Sequence, residues 1–94
     1  MRDLTDEEKQ SIKDFGSVGF TYQEVSINLG IPCNELFDQW ENQKGEVYEL
    51  YMQGRLQSEF NIRKSILDSA INGSSPSMVK MMDFYKQADD FQND

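Results

Sequence analysis

Hydrophobic residues recur every three or four positions along most of the chain, which is the spacing of one face of an α-helix. No stretch keeps the strict alternation of apolar and polar residues that a half-buried strand shows. Capping boxes beginning at Thr5 and Thr21 predict the starts of the first two helices. Gly30 predicts the end of the second helix, and a short third helix follows over 33–40. Residues 1–42 therefore read as a head of three short helices.

A second helical region follows a break at Lys44 and Gly45. One long helix is predicted over 46–72, about 40 Å at 1.5 Å per residue, with Gly54 expected to weaken or bend it. The small polar segment 72–76 predicts a turn, and a last helix is predicted over 76–87.

Taken together, these elements predict an all-α fold. An N-terminal helix-turn-helix head at 1–42 is followed by a long antiparallel helical hairpin at 43–94.

Composition argues against a catalytic protein. The chain has 94 residues, a formal net charge of −8 and no histidine. Without histidine there is no Ser-His or Cys-His nucleophile pair and no histidine metal ligand. The single cysteine, Cys33, cannot form an internal disulfide, which fits a reducing compartment. We expect no enzymatic activity, no cofactor and no metal site.

The hydropathy pattern gives no sign of a membrane or secreted protein. No apolar run approaches the roughly 18 residues of a transmembrane helix. Arg2 and Asp3 follow Met1 directly, so we expect no secretory signal peptide. We expect no membrane partner and a cytoplasmic location, which is the bacterial host cytoplasm if the chain is viral or prophage-encoded.

The segment 20–40 has the spacing of a helix-turn-helix, in which the second helix enters the major groove of DNA. Apolar residues from both helices would hold them at a steep angle. The side chains expected to face base edges are those of Cys33, Asn34 and Asp38. The side chains expected near phosphates are those of Thr21, Gln23 and Lys44.

The charge of the same segment opposes DNA binding. Residues 1–42 hold 3 basic and 9 acidic residues. Glu35, Asp38 and Glu41 fall on the exposed side of the third helix and would repel phosphates. A head that uses this geometry for packing alone is therefore the alternative to direct DNA binding.

The long helix carries a broader apolar band than a two-helix hairpin can cover. The excess must pack against either the head or other subunits, and we predict homo-oligomerisation through this region. The predicted interface residues are Leu50, Tyr51, Phe60, Ile62, Ile66, Leu67 and Ile71.

The order of these parts resembles the small subunit of tailed-bacteriophage DNA-packaging terminases. Two runs carry the resemblance, YELYMQGRLQSEFNIR at 48–63 and ILDSAINGSSP at 66–76. In that family a Gly-Arg pair, a Glu and an Arg on the long helix recur in this order, followed by a small-residue turn. The likeness extends over nearly the whole chain, while the acidic head departs from the family.

The resemblance implies a non-enzymatic DNA-packaging adaptor. Such a protein recognises packaging-site double-stranded DNA and delivers it to the terminase large subunit. It also implies a ring of several subunits, assembled through the hairpin. Two alternatives are a dimeric helix-turn-helix transcriptional regulator and a protein-interaction module that has lost DNA binding.

Overall fold

A computed structural model describes residues 1–73 and 75–92, with the backbone alone for 89–92. Over these residues the chain forms five helices and no strand, which confirms the predicted all-α fold. The helices are α1 (Asp6–Ser17), α2 (Tyr22–Leu29), α3 (Cys33–Asn42), α4 (Glu46–Ile71) and α5 (Ser75–Gln92).

Both predicted capping boxes are confirmed. The Thr5 hydroxyl accepts from the Glu8 N–H at 3.1 Å, and the Glu8 carboxylate accepts from the Thr5 N–H at 3.0 Å. Thr21 and Glu24 repeat the arrangement at 3.2 and 3.1 Å. Each box satisfies two N–H groups that a helix start otherwise leaves unpaired. Short-range chemistry therefore determines where α1 and α2 begin.

The C-terminal helix is longer than predicted. Helix α5 continues to Gln92, although the apolar pattern indicated an end near Gln87. The segment after Gln87 contains neither glycine nor proline, so nothing in its sequence stops the helix. Of the predicted turn at 72–76, Ser74 lies outside the described residues, as do Asn93 and Asp94.

The chain divides into two compact units, Met1–Glu59 and Phe60–Asp94. The first unit extends well beyond the predicted head at 1–42, because it includes the first half of α4. Val47 is fully buried there, in one hydrophobic cluster with Ile12 and Leu36. The predicted head thus lacked a helix that completes its core.

Aromatic side chains fix this half of α4 in the first unit. The Trp40 ring lies edge-on to those of Tyr48 and Tyr51, with centroids 5.3 and 5.1 Å away. The Tyr51 hydroxyl donates to the Phe20 carbonyl oxygen at 2.6 Å. Such a bond satisfies the polar end of a buried tyrosine. Tyr51 therefore belongs to the core of the unit.

Two glycines allow α1 and α4 to approach backbone to backbone. A Cβ atom on Gly54 would overlap the Lys13 carbonyl group, and its distance to the carbonyl carbon would be 2.6 Å. A Cβ on Gly16 would overlap the carbonyl oxygen of Tyr51. Glycine is roughly 0.8–1.0 kcal/mol less favourable than alanine inside a typical helix. The close approach explains why glycine stands at position 54.

The second unit has no comparable core. None of its described side chains is fully buried. The Arg63 guanidinium lies over the Phe84 ring, 4.5 Å from its centroid, and joins α4 to α5. The large apolar side chains exposed in this unit are those of Phe60, Ile62, Ile71, Met78, Val79, Met82 and Tyr85.

We expect Gly54→Ala to destabilise the protein by roughly 1–3 kcal/mol, because the new methyl group must push α1 and α4 apart. Urea unfolding followed by the fluorescence of Trp40, the single tryptophan, measures this change. The control is Gln53→Ala at the exposed neighbouring position. A Gly54→Ala variant as stable as the natural protein would contradict the glycine contact, since alanine is the better helix former.

Candidate nucleic-acid interface

Helices α2 and α3 pack against each other across the short turn 30–32. Gly30 has φ 68° and ψ 28°, the left-handed conformation predicted for the end of α2. The buried Ser26 hydroxyl donates to the Ile31 carbonyl oxygen and so fixes the turn from inside. Ile31 is itself buried in the core. The turn that orients α3 is therefore held by both conformation and packing.

Helix α3 presents one exposed face. Leu36 is fully buried and anchors the opposite side of the helix. The three residues predicted to face base edges, Cys33, Asn34 and Asp38, are all exposed. Asn34 and Asp38 lie one helical turn apart, so their side chains neighbour each other. The structure thus brings these predicted residues onto one surface.

The residues predicted near phosphates are exposed but dispersed. Thr21 and Gln23 lie at the start of α2, and the Thr21 hydroxyl already accepts from Glu24. Lys44 lies in the connection between α3 and α4. It lines an open depression of about 510 Å³ together with Met1, Glu35, Asp38, Gln39, Asn42 and Gly45. Lys44 and Asp38 therefore share one site, to which Thr21 and Gln23 do not contribute.

The electrostatics of this surface are acidic. Helix α3 contains Glu35, Asp38 and Glu41 and no lysine or arginine. None of these carboxylates takes part in the ion pairs found among the described residues, which are Arg2–Glu8, Lys9–Glu46 and Arg55–Glu59. The unit 1–59 holds 5 basic and 12 acidic residues. A single copy of this unit would therefore repel DNA phosphates at long range.

Phe37 is a candidate contact residue that was not among the predicted ones. Its side chain is 49% exposed on α3, although phenylalanine is usually buried. The signal was present in the sequence, because Leu36 and Trp40 define the inward stripe of α3. Position 37 is one residue off that stripe, and a helix turns by about 100° per residue.

The predicted subunit-contact residues fall into three groups. Phe60, Ile62 and Ile71 are exposed, and Leu50, Ile66 and Leu67 are half-buried. Tyr51 is only 5% exposed and packs in the core of the first unit. We therefore remove Tyr51 from the predicted interface. Its position on the apolar stripe of α4 did not reveal that this part of the helix covers the head.

A second feature that the sequence did not reveal is the attachment of Arg2 to the turn region. Its guanidinium donates to both Glu8 carboxylate oxygens, at 2.9 and 2.6 Å. It also donates to the Leu29 carbonyl oxygen at 2.7 Å. The bond from Arg2, with a further contribution from the Thr5 N–H, lowers the pKa of Glu8 from 4.5 to about 2. Arg2 thus links the start of α1 to the end of α2.

Other chemistry is sparse in the described part of the chain. No group of three or more His, Cys, Asp or Glu side chains there could hold a metal ion. Cys33 is a free, exposed thiol. Among the described helices, none combines the length and apolar character needed to cross a membrane.

Comparison with known proteins adds no relative. No protein-family model, curated protein or solved structure matches this chain.

We expect the Arg2–Glu8 contact to make stability depend on pH in acid. The pKa of Glu8 is lower in the folded state than in the unfolded chain. Its contribution to the free energy of unfolding is therefore complete above about pH 4.5 and is lost as the pH falls toward about 2. Glu8→Gln should therefore flatten the fall in urea midpoint over this range. Glu7→Gln is the control, since it removes a charge from the same helical turn and leaves the Arg2 contact in place. Equal slopes for both variants would contradict the assignment.

Proposed function

We propose that this protein is a non-enzymatic, self-associating DNA adaptor that resembles a terminase small subunit. The observation that carries the proposal is the apolar surface of the second unit. None of its described side chains is fully buried, and the exposed fractions of Phe60 and Ile71 are 58% and 74%. Association of several copies would remove this surface from water, which is the main driving force for subunit assembly.

The proposed DNA contact is the exposed face of α3, with Asn34 near its centre. The acidic charge of 1–59 makes the affinity of one copy low. Several copies on one duplex would raise the effective concentration of each unit without new contacts. Self-association and DNA binding are therefore linked in this proposal, because the second requires the first.

In this proposal the protein acts in the bacterial cytoplasm, on viral DNA. The adaptor has no catalytic role of its own. The partner it serves is a terminase large subunit, which supplies the ATPase and nuclease. The family resemblance supports this assignment through the runs at 48–63 and 66–76.

A second candidate function is a protein-interaction module without DNA binding. The observation that favours it is that Glu35, Asp38 and Glu41 on α3 form no ion pair with any residue that the structure describes. Such a surface repels phosphates, and the same charges attract basic protein segments. This candidate predicts that no duplex is retained even at low salt, where phosphate contacts are strongest.

Native mass spectrometry at micromolar concentration separates the assemblies. A closed species of roughly eight or more subunits supports the adaptor, since regulators of this size are usually two-fold. A dimer that binds a palindromic site would favour a helix-turn-helix regulator instead. A monomer at every salt concentration, with and without DNA, would contradict self-association.

We expect Phe60→Asp to dissociate the assembly, because the substitution places an unpaired charge in an apolar contact. Native mass spectrometry should then show monomers or small species. The matched control is Ser65→Asp, which adds the same charge to α4 at an exposed polar position. An intact assembly in the Phe60→Asp variant would rule out Phe60 as an interface residue.

We expect Asn34→Ala to weaken DNA binding about fivefold or more while leaving assembly unchanged. The reason is that a bidentate Asn–adenine contact contributes about 1–3 kcal/mol. Fluorescence anisotropy of a labelled duplex at low salt measures the affinity. Asn28→Ala is the control, since Asn28 is an exposed asparagine on α2 whose amide donates to the Glu24 carbonyl oxygen. Equal affinities for the two variants would exclude Asn34 from the contact.

A further inference from the structure

Phe37 is an exposed apolar group on α3 that packs against an aromatic neighbour. Its ring packs beside the Tyr22 ring, with centroids 5.9 Å apart and planes tilted by 56°. Tyr22 in turn lies 6.1 Å from the Trp40 ring, which packs on Tyr51. One side of Phe37 is therefore anchored to the core of the first unit. The remaining surface, 49% of the side chain, is open to solvent.

The residues around Phe37 give this face an unusual chemistry. Asn34 and Glu41 lie one helical turn before and after Phe37 on the same side of α3, and Asp38 is the next residue, about 100° further around the helix. Asp38 and Glu41 are carboxylates and can only accept hydrogen bonds when ionised. Among these neighbours, the Asn34 amide is the group that can both donate and accept. The face thus combines one apolar ring, two acceptors and one amide.

The major groove offers a limited set of complementary groups. Thymine has an apolar methyl group, and cytosine and adenine have amino donors at N4 and N6. Guanine presents two acceptors, N7 and O6, which are usually read by arginine or lysine. Helix α3 has neither residue. Its chemistry therefore matches thymine methyl groups and amino groups better than guanine.

We infer that Phe37 is a specificity-determining residue that contacts the 5-methyl group of a thymine, while Asp38 accepts from the amino group of a neighbouring cytosine or adenine. This inference rests on the proposed DNA adaptor function. It gives the acidic face a role in base selection, with DNA affinity supplied by the number of copies. Phosphate contacts would come from other residues, including Lys44, which lines the same depression as Asp38.

Deoxyuridine provides a selective probe, since it pairs as thymine does and lacks only the methyl group. The full-length protein is first used at low salt to select duplexes from a random library. Each thymine of the selected site is then replaced by deoxyuridine, and affinities are measured for the natural protein, Phe37→Ala and Phe37→Leu. Ile27→Ala is the control, since Ile27 is an exposed apolar residue on α2.

We expect one fixed position at which replacing thymine with deoxyuridine lowers the DNA affinity of the natural protein about threefold to fivefold. This is the loss that burial of one methyl group predicts. Phe37→Ala should bind more weakly and lose this sensitivity, which is the coupling of a double-mutant cycle. Phe37→Leu should retain part of it, and Ile27→Ala all of it. A merely structural role for Phe37 would lower affinity equally for both bases.

Two results would overturn the inference, and they differ in what else they overturn. If duplexes are retained but deoxyuridine affects the natural protein and Phe37→Ala equally, Phe37 does not read a methyl group and the adaptor function stands. If the assembled natural protein retains no duplex at low salt, the DNA function and this inference both fail.

Discussion

The close approach of α1 and α4 at Gly16 and Gly54 is the contact on which the first unit depends. With no side chain at either position, the two backbones meet directly. This approach brings Val47 and Tyr51 into the core. Tyr51 then binds the Phe20 carbonyl oxygen and packs on Trp40, which supports α3 from within. The orientation of the candidate DNA-contact surface therefore depends on a helix outside the predicted head.

Charge and geometry give this surface opposing tendencies. The α2–turn–α3 arrangement leaves Asn34, Phe37 and Asp38 exposed on one face. The carboxylates of the same helix have no ion-pair partners among the described residues, and they oppose binding of a polyanion. The proposed function reconciles the exposed face with its acidic charge. Many copies together supply the affinity for DNA, and a few side chains of each copy supply the selectivity for bases. A basic protein partner is the alternative that the same charges support.

The second unit shows why association is central to the proposed function. Its described side chains include large apolar groups and no fully buried residue. A folded unit gains stability chiefly by removing apolar surface from water. Contacts such as Arg63 on Phe84 contribute about 0.5–1 kcal/mol at exposed sites. Burial of apolar surface between copies would supply the greater stabilisation that the unit lacks on its own.

The sequence by itself determined the helices and most of their ends. Thr5, Thr21 and Gly30 act through hydrogen bonds and backbone conformation within a few residues, so local sequence is sufficient to predict them. The all-α class followed from the same short-range pattern. The same pattern also predicted that Cys33, Asn34 and Asp38 lie on the exposed side of α3.

Only the tertiary structure decided which helices share a core and which side chains remain outside it. Apolar spacing on α4 is similar on both sides of Gly54, yet Tyr51 is buried and Phe60 is exposed. Burial depends on what packs against each turn, and that partner is distant in sequence. For the same reason the sequence did not reveal the role of Gly54. Periodicity specifies a face of a helix, whereas the neighbour that covers the face is determined by the fold.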